Sequence, residues 1–99
     1  MLIAVASFDL RIPAATSLKE KRHVIKPLTA SLRQRFNVSV AEVDHQDLWQ
    51  RTTVAVSAVG GSGFHLKRVL HEVEKHVAGY GPTEIINRTT HVLDSEDYE

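Results

Sequence analysis

The chain has no cysteine. That excludes disulfide frameworks, thiolate zinc sites, iron–sulfur clusters and cysteine nucleophiles, and it fits a reducing compartment. Net charge is absent too: twelve Lys and Arg balance twelve Asp and Glu, so a uniformly basic nucleic-acid-binding surface is out. No apolar run approaches the roughly 18 residues of a membrane span. The opening Met1-Leu2-Ile3-Ala4-Val5-Ala6 lacks a basic leader and soon meets Asp9, so it reads as a first strand rather than a signal peptide. Ninety-nine residues with 42% apolar side chains remain, enough for one domain whose core needs no covalent staple.

The apolar pattern gives the order of elements. Residues 2–12 are apolar and β-branched at first and then alternate, with Phe8, Leu10 and Ile12 on one face, and Pro13 ends the strand. Ser17-Leu18-Lys19-Glu20 is a capping-box sequence that opens a helix from Leu18 to about Arg35. Leu18, Ile25, Leu28 and Leu32 form its apolar stripe, and Pro27 predicts a bend inside it. Strands follow over 37–43 and 49–59, joined by a polar turn. A glycine-rich link at 60–63 leads to a helix over 64–78 with Leu66, Val69, Leu70, Val73 and Val77 on one face. The last strand spans 83–93. The domain thus covers 1–93, and the acidic 94–99 reads as a frayed tail. The order β-α-β-β-α-β, with one apolar stripe per helix, predicts an α+β ferredoxin-like fold: a four-stranded antiparallel sheet with both helices on one face. Its other face would stay open, available to another subunit, RNA or a ligand.

Two stretches carry a family resemblance. Ser17-Leu18-Lys19-Glu20-Lys21-Arg22, and the run from Arg33-Gln34-Arg35-Phe36 through Val43-Asp44-His45-Gln46-Asp47-Leu48-Trp49-Gln50-Arg51, closely resemble the YlxP-like family of small bacterial proteins. The resemblance extends over nearly the whole chain and implies a ferredoxin-like fold, a bacterial cytoplasmic location and a tendency to form homodimers. Genes of that family often lie beside those for a translation initiation factor and ribosome-binding factor A, which implies a part in ribosome assembly. No activity comes with the family.

Two surfaces stand out. Lys19, Arg22, Lys26 and Arg33 fall within about one sixth of a turn of one another on the first helix. From Lys19 to Arg35 the chain has six Lys and Arg against the single acid Glu20, and the acidic tail conceals this in the total. Such a stripe can follow a phosphate backbone, or it can be a solvated helix face whose stems cover apolar surface. The second surface is the turn with Asp44, His45 and Asp47, followed by Trp49 near the start of the third strand and by Arg51. It reads as an interaction loop on a rigid sheet, or as a hairpin turn fixed by Asp44 or Asp47 pairing with Arg51.

Metal binding or acid–base chemistry at Asp44, His45 and Asp47 lacks further ligands at a recognisable spacing, and His65, His71 and His76 offer no i,i+4 pair. The link at 60–63 has no phosphate-binding fingerprint. RNA-recognition folds of this topology stack bases on strand aromatics, whereas the third strand here offers Thr53, Ala55 and Ser57. The sequence therefore predicts a non-enzymatic binding protein without metal or cofactor. It would contact structured RNA or a ribosomal subunit through Lys19, Arg22, Lys26 and Arg33. The alternative is a homodimeric protein-interaction module with no nucleic-acid role.

Overall fold

A computed structural model describes residues 1–98. The elements are β1 (Leu2–Arg11), α1 (Leu18–Arg35), β2 (Ser39–Asp44), β3 (Arg51–Gly60), α2 (Gly63–Ala78), β4 (Glu84–Asp94) and a 3-10 turn (Ser95–Tyr98). The four strands form one antiparallel sheet in the order β2-β3-β1-β4. This is the ferredoxin-like arrangement that the pattern predicts.

Alternation decides which face is which. Along β1, Ala4, Ala6, Phe8 and Leu10 are buried, and along β3 so are Thr52, Val54, Val56 and Ala58. They meet Ile25, Leu28 and Leu32 of α1 and Leu66, Leu70, Val73 and Val77 of α2 in a single core. Both helices therefore lie on one face. A one-residue slip in register would move the whole apolar set to the other side, so the pattern itself fixes the pairing. The other face presents Ile3, Val5, Ser7 and Asp9 of β1, none fully buried, with exposed Val59 at one end of β3.

The helix termini refine the capping prediction. Ser17 Oγ accepts from the Glu20 amide at 3.1 Å, as a capping serine should. Glu20 reaches one residue further back than expected: its carboxylate accepts from both the amide and the hydroxyl of Thr16, each at 2.7 Å. Those two bonds, hydroxyl first, lower its pKa below the usual carboxylate value. α1 continues unbroken through Pro27. The predicted flexible link is short, because β3 runs through Gly60 and Ser62 already caps α2. A Cβ at Gly60 would lie 3.3 Å from the Leu66 side chain, so strand and helix approach closely there.

At the far end β4 reaches Asp94. The chain then turns in the 3-10 segment, with the Ser95 amide donating to the Met1 carbonyl at 2.9 Å. Part of the stretch expected to fray is thus regular structure, and Glu99 lies outside the described residues. This turn leaves from β4, the sheet edge opposite β2.

Candidate nucleic-acid interface and the adjoining loop

α1 packs on the β2 side of the sheet, and a groove of about 640 Å³ opens between them. Leu18, Ile25 and Thr29 form its floor; Arg22, Lys26 and Arg33 line it from α1. Three of the four stripe residues are thereby gathered on one concavity, and Lys19 is left on the exposed helix outside it. Among the described side chains, which end at Glu96, no carboxylate lies within ion-pair reach of any of the four. Arg33 also has a structural role, since its Nη2 donates to the Val40 carbonyl at 2.8 Å. Gln46 Nε2 makes a longer bond, 3.4 Å, to the Glu42 carbonyl. Both acceptors belong to the edge strand β2, so these side chains cap carbonyls that would otherwise invite strand pairing.

The end of the groove holds a charged side chain that the predicted stripe does not include. Lys21 is only 3% exposed. Its ammonium lies 2.9 Å from Glu42 Oε2 and donates to the carbonyls of His45 at 2.6 Å and Gln46 at 3.3 Å. Three partners for three N–H groups satisfy a cation that burial would otherwise penalise heavily. Glu42 in turn accepts from the buried Thr52 hydroxyl. A signal for this was present: Leu18, Lys21, Ile25, Leu28 and Leu32 repeat at three and four residues, so Lys21 occupies a slot in the apolar stripe.

Lys21 therefore braces the β2–β3 loop from the helix side, and the open face braces it from the other. His45 takes a left-handed backbone with φ 61°, uncommon for a residue with a side chain. Asp44 Oδ1 accepts from the His45 amide at 2.8 Å, and the Leu48 amide donates to the His45 carbonyl at 3.1 Å. The His45 ring lies 4.0 Å from Asp9 and 3.9 Å from Asp44.

Arg51 pairs with neither predicted partner. Its Nη2 donates to Asp9 Oδ2 at 3.1 Å, and Thr53 donates to Asp9 Oδ1 at 3.2 Å. The register explains this: Arg11 stands opposite Arg51 and Asp9 opposite Thr53, so the nearest acid on that face is Asp9. Arg51 Nε is buried without a hydrogen-bond partner. Trp49 lies in the loop and not in β3. Trp49 is 52% exposed and Leu48 48% exposed, both over a shallow concavity they share with Asp47 and Arg51. Of the five loop residues, His45 and Arg51 converge on Asp9, while Asp47 and Trp49 face outward. Among the described residues no group of three or more His, Asp or Glu is arranged to hold a metal ion. No helix is long and apolar enough to cross a membrane.

Between the helices a second polar cluster ties α1 to α2. Arg35 donates to His76 Nδ1 at 3.4 Å, so Nε2 carries the proton and donates to Ser31 Oγ at 2.8 Å, and Ser31 donates to the Leu28 carbonyl. Burial first, and the Arg35 charge second, hold the His76 pKa below the ordinary histidine value.

This architecture defines an α+β domain of the ferredoxin-like class. Solved structures agree. SnoaB, a cofactor-independent oxygenase from Streptomyces nogalater in mutant form, superposes with a TM-score of 0.54 at 8% identity, covering 95% of this chain and 92% of that one. The de novo designed protein Foldit4 gives 0.52 at 10% identity, over 96% of this chain and 99% of that one. At such identities the likeness concerns the fold alone. In sequence, residues 3–90 match the family described as protein of unknown function DUF503. The protein YlxP of Bacillus subtilis (strain 168), described as uncharacterized, is 36% identical over 89 residues, which is 89% of this chain and 97% of that protein. The chain belongs to the DUF503 family, as its two long motifs indicate.

Proposed function

We propose that the protein is a small binding protein that contacts RNA, or a ribonucleoprotein such as a ribosomal subunit, through the α1/β2 groove. The observation that carries this reading is the gathering of Arg22, Lys26 and Arg33 on one concavity with no carboxylate in ion-pair reach among the described residues. Among the described residues the one acid in the groove lining, Glu42, is already matched by Lys21. Cations left without a carboxylate partner keep their charge for phosphate, and each contact releases counterions. The resemblance to the YlxP-like family, with its gene neighbours in translation, supports a ribosomal setting.

Co-sedimentation with small ribosomal subunits and their precursors across a salt series tests this, with the intact protein compared against an Arg22→Ala/Lys26→Ala variant. Salt-sensitive binding that the variant loses supports the reading. No binding of the intact protein at low salt contradicts it.

A second reading is a homodimeric interaction module. It is favoured by the open sheet face, where Val59 is 65% exposed beside Ile3 and Val5, an apolar area that a second copy would cover. A dimer that resists high salt and has no affinity for RNA supports this reading; a monomer at micromolar concentration by sedimentation counts against it.

A further inference from the structure

The spacing and setting of the groove cations say which form of nucleic acid the groove suits. We infer that it takes a double helix, gripped across a groove by its two phosphate backbones, and does not read bases or bind a single strand; this rests on the reading proposed above. Arg22 and Lys26 are one helical turn apart, about 6 Å along the α1 axis, and Arg33 lies about 10 Å beyond Lys26. A close pair followed by a distant single cation suits neighbouring phosphates on one strand and a phosphate on the facing strand across the wide, shallow minor groove of an A-form duplex. A single strand presents no fixed second row of phosphates.

Rigidity supports the same form. Arg33 is held by its 2.8 Å bond to the Val40 carbonyl, so its guanidinium is a fixed donor and not a swinging one. Fixed donors match a ligand whose phosphates are themselves fixed.

The groove also lacks the devices of single-strand recognition. Proteins that bind single strands stack bases on aromatic rings, each worth roughly 1–3 kcal/mol, and among the described residues no aromatic side chain lines this groove. Tyr80 is turned inward, with its hydroxyl donating to the Val24 carbonyl at 2.7 Å, and Phe36 packs edge-on against His76. The other polar side chains of the lining are engaged within the protein: the Thr29 hydroxyl donates to the Lys26 carbonyl, the Gln46 amide nitrogen donates to the Glu42 carbonyl, and Glu42 is held by Lys21 and Thr52. What is left to the ligand is outward-pointing positive charge over an apolar floor of Leu18 and Ile25, which positions a backbone without reading sequence.

The experiment is equilibrium binding of the intact protein, by fluorescence anisotropy, to three labelled probes of one sequence: an RNA hairpin with about 16 paired bases, the corresponding unpaired RNA strand, and a DNA duplex. The expected result is that the RNA hairpin binds roughly tenfold or more tighter than the single strand, with little change on scrambling the sequence. Binding of the DNA duplex alone overturns the RNA reading and the inference that rests on it. Arg33→Ala should weaken duplex binding about fivefold and leave single-strand binding unchanged, because only the duplex offers a facing strand. Arg22→Gln/Lys26→Gln, at exposed positions, should weaken both forms; should Arg33→Ala fail to fold, the ratio of duplex to single-strand affinity of the intact protein carries the comparison. Equal or tighter binding of the single strand overturns the double-helix inference while leaving the groove reading in place. Binding of none of the three probes at low salt overturns both.

Discussion

Arg51 and Arg22 look alike in the sequence, each a cation beside a conspicuous motif, yet the fold treats them differently. Arg51 sits on the open sheet face with Asp9 at 3.1 Å, and Asp9 also gathers Thr53 and the His45 ring. Arg22 sits in the groove with Lys26 and Arg33, and the one acid there is engaged by Lys21. The charge of the loop end is neutralised inside the molecule; the charge of the groove is not. The difference separates cations that hold the fold from cations available to a ligand. Proximity in sequence to a tryptophan or a histidine says nothing about it.

The largest expected effect is at the residue that joins the two regions. Lys21→Met removes the ammonium from Glu42 and from the loop carbonyls while keeping the aliphatic stem. It should cost about 3 kcal/mol of stability, as loss of one partner from a largely buried pair does. A denaturant titration measures this. A loss below about 1 kcal/mol would show that Lys21 is not the brace.

Next comes the groove pair. Arg22→Ala/Lys26→Ala should weaken duplex binding roughly tenfold or more and leave the unfolding midpoint unchanged, since neither side chain has an internal ion-pair partner among the described residues. A fall in stability equal to that of Lys21→Met would erase the distinction between the two kinds of cation. Arg51→Ala should do the reverse, costing about 1 kcal/mol through its partly exposed pair with Asp9 without altering nucleic-acid affinity. Arg33→Ala belongs between them, with about 1 kcal/mol lost from the Val40 carbonyl bond together with a loss of binding.

The smallest effect is one of pH. His76 is favoured neutral in the folded state, by burial and then by Arg35. The unfolded chain binds a proton at this site first as pH falls, so stability is complete above the ordinary histidine pKa and declines as pH drops through it. His76→Gln should flatten that part of the stability–pH curve. An unchanged curve would show that His76 does not set the acid limit of stability.

Much of the fold was legible because periodicity speaks directly of burial. The stripe Leu66, Leu70, Val73 and Val77 and the alternation along Phe8, Leu10 and Ile12 both survive in the core. Strand ends were less legible. Trp49 falls outside β3 because the backbone turns at His45, and a left-handed histidine has no sequence signal of the kind that glycine gives. The stripe on α1 was visible from spacing, but its division was not. Lys21 could have been singled out by its place in the three-four repeat, whereas Lys19 falls outside the groove for reasons of helix placement alone. The pairing of Arg51 with Asp9 depends on strand register across 42 residues, which no local pattern contains. Asp9 carries no local signal for the same reason: along β1 it is simply one polar residue in an alternating strand.

The division between fold-holding and ligand-facing cations is tested most sharply by the salt dependence of duplex binding. The intact protein is set beside Arg22→Ala/Lys26→Ala and Arg51→Ala. The expected result is that log affinity falls with log salt with a slope of roughly −3 for three phosphate contacts. The slope should become shallower by about 2 in the groove variant and stay unchanged in Arg51→Ala. Equal slopes for all three proteins, or a shallower slope in Arg51→Ala alone, would contradict the division and move the ligand-facing charge to the open sheet face.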